Sequence, residues 1–358
     1  MRKLIFYVLL IACISFSKVL PAQNPYFPDL QGYRTLLCDF HTHTVFSDGN
    51  VWPDFRVEEA IHDGLDVIAI TDHIEYRVNT ALIKGDHNKS YDISRQAGDK
   101  LGLLVIKGAE ITRNMPPGHL NALFITDANK LEKNDFMDAI EEAEKQNAFI
   151  VWNHPGWKFQ QPDTVKWFDI HTQLLQDGML DGIEVCNYTD YYPMALDWAI
   201  EKGLCIFANS DVHNATAIAG FNKHRPVTLV FATANDAASV REALDSRRTA
   251  CWFGDSIMAV PEVALALLQE TLKVNVSFND DGQMVRLEFR NLSSCPIVLK
   301  PGFYTFGIPE IIKIDPFGTQ KFSFSRGKLA DVLEFDVLNY ITSSKSTAMF
   351  NVKINQTH

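Results

Sequence analysis

Six of the eleven histidines in this chain stand at the ends of short apolar runs. They are His41 and His43 in CDFHTHTVFSDG, His73 in VIAITDH, His119 in PPGHLNALF, His154 in FIVWNHPGW and His213 in CIFANSDVH. Asp48, Glu110 (in LLVIKGAEIT) and Asp211 occupy the same kind of position. Imidazole and carboxylate donors without thiolates suit hydrolytic Zn, Mn or Fe better than a structural zinc. Side chains on a strand alternate with period two, so His41 and His43 share a face, as do Asp211 and His213. A lone HxH is often a pair of core hydrogen-bonders; nine such residues at seven strand ends or the loops just beyond them point to a multinuclear metal site. His62, His87, His171, His224 and His358 fall in helix or loop contexts and read as surface residues.

The elements that would position these groups alternate along the chain. Strand-like runs at 35–43, 66–73, 103–112, 119–125, 149–154, 182–187, 205–213 and 227–232 are separated by helical patterns at 53–63, 134–147, 191–203 and 235–246. Alternation of this kind predicts a parallel sheet with covering helices, closing into a TIM-like barrel whose active site collects at the strand C-termini. The composition changes near residue 265. Beyond it TLKVNVSF, the turn NDDGQ and MVRLEFRNL alternate apolar and polar residues, followed by PIVLK, KFSFS and FNVKI. The expectation is a catalytic unit over 23–265 and a small, sandwich-like antiparallel β domain over 266–358 that supplies no ligand. The stretch VALALLQ after Pro261 reads as a last helix or as the linker.

Residues 1–22 have the pattern of a secretory signal peptide: a basic start, the apolar run LIFYVLLIACISF and a cleavage point after Ala22. An alternative is a lipid anchor at Cys13. The mature protein is therefore expected to be exported, with no membrane span. The formal charge is −11 and becomes −14 without the leader, which carries Arg2, Lys3 and Lys18 but no acid. Such a surface disfavours nucleic acid and anionic membranes. Cys38, Cys186, Cys205, Cys251 and Cys295 form no CxxC pair and lie mostly in apolar runs, so buried free thiols are expected rather than a disulfide.

The series HTHTVFSDG, TDH, a strand-ending Glu110, His119, NHP and SDVH resembles the PHP (polymerase and histidinol phosphatase) family from Asp39 to His213. The resemblance implies a distorted (β/α)7 barrel, up to three metals and hydrolysis of phosphoesters. It implies that His41, His43, Glu110 and Asp211 hold one metal. Glu110 would bridge to a second with His119 and His154, and Asp48, His73 and His213 would hold the third. Asp48 stands where some members carry histidine, and the spacing before His119 varies in the family.

Divalent ions in such a site outweigh its three carboxylates and leave a positive mouth on an acidic protein, suited to a small phosphorylated substrate. Glu110 and Asp211 would fix a metal-bridging hydroxide. Arg113 is the first candidate for a cationic phosphate clamp and Lys158 the second. Asp39 and Asp72, beside ligands, read as carboxylates that orient an imidazole. Two other readings stay open: a metallohydrolase of carboxyl ester or amide bonds, and a non-catalytic metal-containing binding protein.

Overall fold

The computed structural model describes residues 24–327 and 329–354. The proposed signal peptide, Cys13 and His358 lie outside the described residues. The strand ends foreseen above are where the chain turns into loops. Strands β1 (Arg34–Asp39), β2 (Val67–Ile70), β3 (Leu104–Ile111), β4 (Leu120–Leu123), β5 (Phe149–Trp152) and β6 (Gly182–Asn187) come first. They are followed by the short β7 (Asp190–Tyr191), β8 (Cys205–Asn209) and β9 (Val227–Ala232). The helices are α1 (Pro53–His62), α2 (Lys89–Leu101), α3 (Phe136–Lys145), α4 (Asp169–Gln176), α5 (Pro193–Lys202) and α6 (Ala237–Asp245). Pro53 and Pro193 open their helices, where the missing N–H costs nothing. VALALLQ proves helical, as α7 (Pro261–Thr271).

Period-two alternation divides each strand between two cores. Leu36, Cys38, Val67, Ala69, Ile106, Phe149, Val151, Cys205, Phe207 and Val230 share one apolar cluster. The residues between them, such as Leu37, Ile68, Ile150 and Ile206, pack outward with the helices. A mixed α/β sheet results, in which β1–β2, β2–β3, β5–β6 and β6–β8 are parallel.

Two strands depart from the all-parallel expectation. β9 runs antiparallel to β1, and β4 runs antiparallel to both β3 and β5. The reversal of β4 matters for function. Ile111 at the end of β3 pairs with Leu120 at the start of β4, and Trp152 at the end of β5 pairs with the same residue. His119, just before β4, therefore reaches the edge where the parallel strands finish. The segment after β8 meets the segment after β1 through the parallel bridge Thr42↔Val212.

The C-terminal region is less separate than its composition suggests. Strands β10 (Thr249–Phe253) and β11 (Ser256–Met258) extend the main sheet beyond β9. The remaining strands are β12 (Leu272–Phe278), β13 (Met284–Asn291), β14 (Ile297–Pro301), β15 (Ile312–Ile314), β16 (Thr319–Ser325), β17 (Val332–Ser343) and β18 (Ser346–Lys353). β12, β13 and β16 form a separate antiparallel sheet. β17, however, pairs parallel with β11 and so joins β14, β15 and β18 to the main sheet. Trp252, Leu267 and Leu268 share one core cluster with Phe289, Phe335 and Tyr340. Residues on the two sides of position 265 thus pack against one another. Among the described residues no helix is long and apolar enough to cross a membrane. Cys38, Cys186, Cys205, Cys251 and Cys295 are buried free thiols.

Candidate metal centre

The loop after β1 is folded back on itself. Thr44 O accepts from Ser47 N at 3.1 Å and from Gly49 N at 2.9 Å. A Cβ at Gly49 would stand 2.7 Å from Thr44 N, so only glycine permits the approach that sets Asp48 beside His43. Asp72 secures this loop by accepting from Thr44 N, Thr44 Oγ1 and Ser47 Oγ, each at 2.7 Å. Asp211 and His154 hold left-handed backbone, at φ 50° and 27°, which non-glycine residues adopt at a cost and which clusters at functional sites.

All nine sequence-selected ligands come together at one edge of the sheet. Four overlapping groups have donor atoms within 4.8 Å of one another. They are His41–His43–Asp211, His41–Glu110–His154, His73–Glu110–His119 and His43–Asp48–His73–His213. The partition differs from the one the resemblance implies: His154 groups with His41, His73 joins His119 around Glu110, and His43 extends the Asp48 group. Glu110 is the hub. Its Oε1 lies 3.0 Å from His119 Nδ1 and 3.5 Å from both His41 Nε2 and His154 Nε2. Asp211 Oδ1 stands 3.0 Å from His43 Nε2 and 3.3 Å from His41 Nε2. Asp48 Oδ1 stands 3.1 Å from His213 Nε2 and 3.5 Å from His73 Nε2.

Several of these buried atoms have no hydrogen-bond partner: His41 Nε2, His43 Nε2 and Glu110 Oε2. Glu110 Oε2 is 2.7 Å from His73 Nδ1, but that nitrogen is directed to Thr112 Oγ1, also at 2.7 Å. Leaving a buried polar atom unpaired costs about 1–3 kcal/mol. Convergent lone pairs around a carboxylate are the arrangement a divalent cation satisfies, so the residues fit metal ions.

Electrostatics describe the same need for positive charge. Burial would raise the Glu110 carboxyl, yet His73, His41 and His119 hold it well below the usual range. Asp211 is likewise lowered against its burial by His41 and His43, and Asp48 by His213 and His73. His73 is pushed up to about 10 despite burial, by Glu110 and Asp48. His43 instead falls to about 4 through burial and the neighbouring His213 and His73.

Sequence reasoning missed the groups behind this cluster. Glu184, fully buried between outward-facing Ile183 and Val185, is 2.9 Å from His41 Nδ1. It also accepts from His154 N (2.6 Å), Asn187 Nδ2 and Asn209 Nδ2 (2.9 Å each). Its signal was visible: an acid at an inward position of the apolar run GIEVCN. Asn153 donates to Glu110 Oε1 at 2.8 Å. Arg56, fully buried on α1, donates to His43 O at 2.9 Å, Val212 O at 3.1 Å and His213 O at 3.3 Å, tying two ligand-bearing loops together.

Other expectations are corrected. Asp39 orients no imidazole; it binds Arg225 Nη2 at 2.6 Å and Ser210. Asp72 serves the loop backbone, as above. Arg113 does not line the cavity: it pairs with the Glu75 carboxylate and donates to Lys133 O at 2.9 Å. Lys158 is exposed. His62 is a surface residue, but His171 is buried, which lowers it to about 4, and its ring stacks on Trp152 at 3.7 Å. His224 stacks on Trp252 at 3.7 Å, and His87 is largely covered.

Above the cluster opens a cavity of about 510 Å³, walled by Tyr76, Trp157, Gln160, Asn187, Tyr188 and Asp190 among others. The fold and site together define a protein with a candidate multinuclear metal centre. The PHP domain model matches residues 39–159. A solved two-domain protein of Bacteroides vulgatus, described as containing a predicted PHP-like metal-dependent phosphoesterase, is 40% identical. It superposes with a TM-score of 0.88 over 92% of this chain and 98% of that one. The chain belongs to the PHP family. An uncharacterized protein of Methanocaldococcus jannaschii is 38% identical over 79 residues, 22% of this chain. The chain spans only about a third of that relative's length (34%). A structure from Bifidobacterium adolescentis, described as a putative metal-dependent phosphoesterase, is 20% identical with a TM-score of 0.43, over 59% of this chain and 96% of that one.

Proposed function

We propose that this protein is an exported phosphoesterase that hydrolyses a small phosphomonoester or phosphodiester at a di- or trinuclear site. The strands β1–β6, β8 and β9 would form the distorted (β/α)7-like barrel that carries it. The supporting observation is the unpartnered, inward-turned set of His41 Nε2, His43 Nε2 and Glu110 Oε2. His41, His43, Asp48, His73, Glu110, His119, His154, Asp211 and His213 would hold two or three ions of Zn, Mn or Fe. When bound, such ions supply Lewis acidity toward a phosphoryl oxygen and a nucleophile active near neutral pH. The chain's own part is geometric. Glu110 and Asp211 set the spacing between donor groups, Glu184 fixes the His41 ring, and Arg56 fixes the loops of His43 and His213. Turnover of a panel of phosphoesters, carboxyl esters and amides tests the reading. Phosphoesters alone should be hydrolysed; turnover confined to carboxyl esters or amides would overturn it.

A further inference from the structure

The ligand cluster is held from behind, and the far side of that support opens on a second cavity. Asp39 Oδ1 accepts from His41 N at 3.2 Å and from Ser210 N at 3.1 Å. One buried oxygen thus gathers the segments that follow β1 and β8, where each delivers a ligand, His41 and Asp211. The two segments are joined again by Asp211 N, which donates to His41 O at 2.9 Å. The 3.3 Å between Asp211 Oδ1 and His41 Nε2 depends on that register.

Asp39 is fully buried, and its other oxygen is answered by Arg225. Arg225 Nη2 donates to Asp39 Oδ2 at 2.6 Å and to Ser210 Oγ at 3.1 Å, while Ser210 Oγ itself donates to Oδ2. Arg225 Nη1 reaches Asp63 Oδ2 at 3.3 Å, at the end of α1. The guanidinium therefore spans two carboxylates with the separate arms of its fork, which a compact ammonium cannot copy. Arg225 is buried, and its remaining donor, Nε, has no hydrogen-bond partner. It also lines a cavity of about 610 Å³, together with Asp63, His224, Trp252 and Phe317. Among the described residues that line this cavity there is no metal-ligand candidate.

Resting on the reading of the cluster as a metal centre, we infer that Arg225 is a positioning residue for it. Acting through Asp39, Arg225 sets His41 against Asp211 and so governs how tightly a divalent ion is held. Without the fork, Asp39 is a buried charge that has lost its partner. The oxygen that gathers His41 N and Ser210 N is then no longer fixed, and groups that orient metal ligands in this way are felt in metal affinity.

The test measures Zn affinity of the full chain by competition with a chelator. Arg225→Ala should bind Zn about 10- to 100-fold more weakly than the parent protein. Truncation joins the space of the guanidinium to the cavity, so millimolar ethylguanidinium should restore most of that loss. Ethylammonium, a point charge, should not, and a general loss of stability would respond to neither. Arg225→Lys keeps the charge without the fork; it should fold even where Arg225→Ala does not, with Zn affinity lowered about tenfold. Parent-like Zn affinity in either folded variant overturns the inference and leaves the metal centre standing. So does a loss in Arg225→Ala that the two cations relieve equally or not at all. Less than one Zn per chain in the parent protein overturns both.

Discussion

Two buried polar regions of this molecule are built in opposite ways. In the C-terminal part, Asn291 is fully buried and fully answered. Its amide donates to Cys295 O at 2.8 Å and Asp315 O at 3.1 Å, and its carbonyl accepts from Ser293 N and Ser293 Oγ at 2.9 Å each. At the metal centre, Glu110 is equally buried, yet Oε2 and the facing His41 Nε2 and His43 Nε2 make no hydrogen bond, although charged groups stand close by. A network closed on itself fixes a loop. One left open by several atoms that converge on a point is arranged for something the chain does not supply.

Breaking the open network should have the largest effect. Glu110→Gln removes the charge shared by two of the four donor groups. Turnover should fall on the order of 10³-fold, the upper range for losing one charge-stabilising group, and the ion count should drop, while far-UV circular dichroism stays unchanged. Glu184→Gln sharpens the comparison from behind, since it loosens His41 without removing a donor to a metal. Metal affinity or kcat should fall by about 10- to 100-fold, read by competition with a chelator. Asn291→Ala, in the closed network, should behave differently. Urea unfolding should show a loss of about 2 kcal/mol, with ion content and kcat of the folded protein unaltered. Arg113→Ala should matter least: paired with Glu75 away from the cavity, it should change kcat/KM by less than about threefold. A KM raised tenfold or more would return the arginine to the role of phosphate clamp.

The open network was legible in the sequence because its members lie at the ends of apolar runs, where period two puts His41 with His43 and Asp211 with His213. The closed one was not, because Asn291 and Ser293 satisfy backbone groups that only the fold brings near. LNAL, the whole of β4, carries no signal of strand direction, so its reversal left no mark, although His119 depends on it. Helix α2 escaped because KSYDISRQAGDKL offers few apolar positions to carry a helical period. Glu184 was overlooked as one acid in a strand, and Arg56 because a buried guanidinium on a helix resembles a surface charge until its carbonyl partners are seen. The pairing of β11 with β17 joins residues more than eighty positions apart, a contact that composition does not mark.

The central claim is that Glu110 and its imidazoles are unsatisfied because they hold metal. Elemental analysis of protein purified without chelator, and again after reconstitution with Zn or Mn, tests it most directly. At least two divalent ions per chain are predicted, with fewer in Glu110→Gln and the same number in Asn291→Ala. Less than one ion per chain after reconstitution would contradict the account.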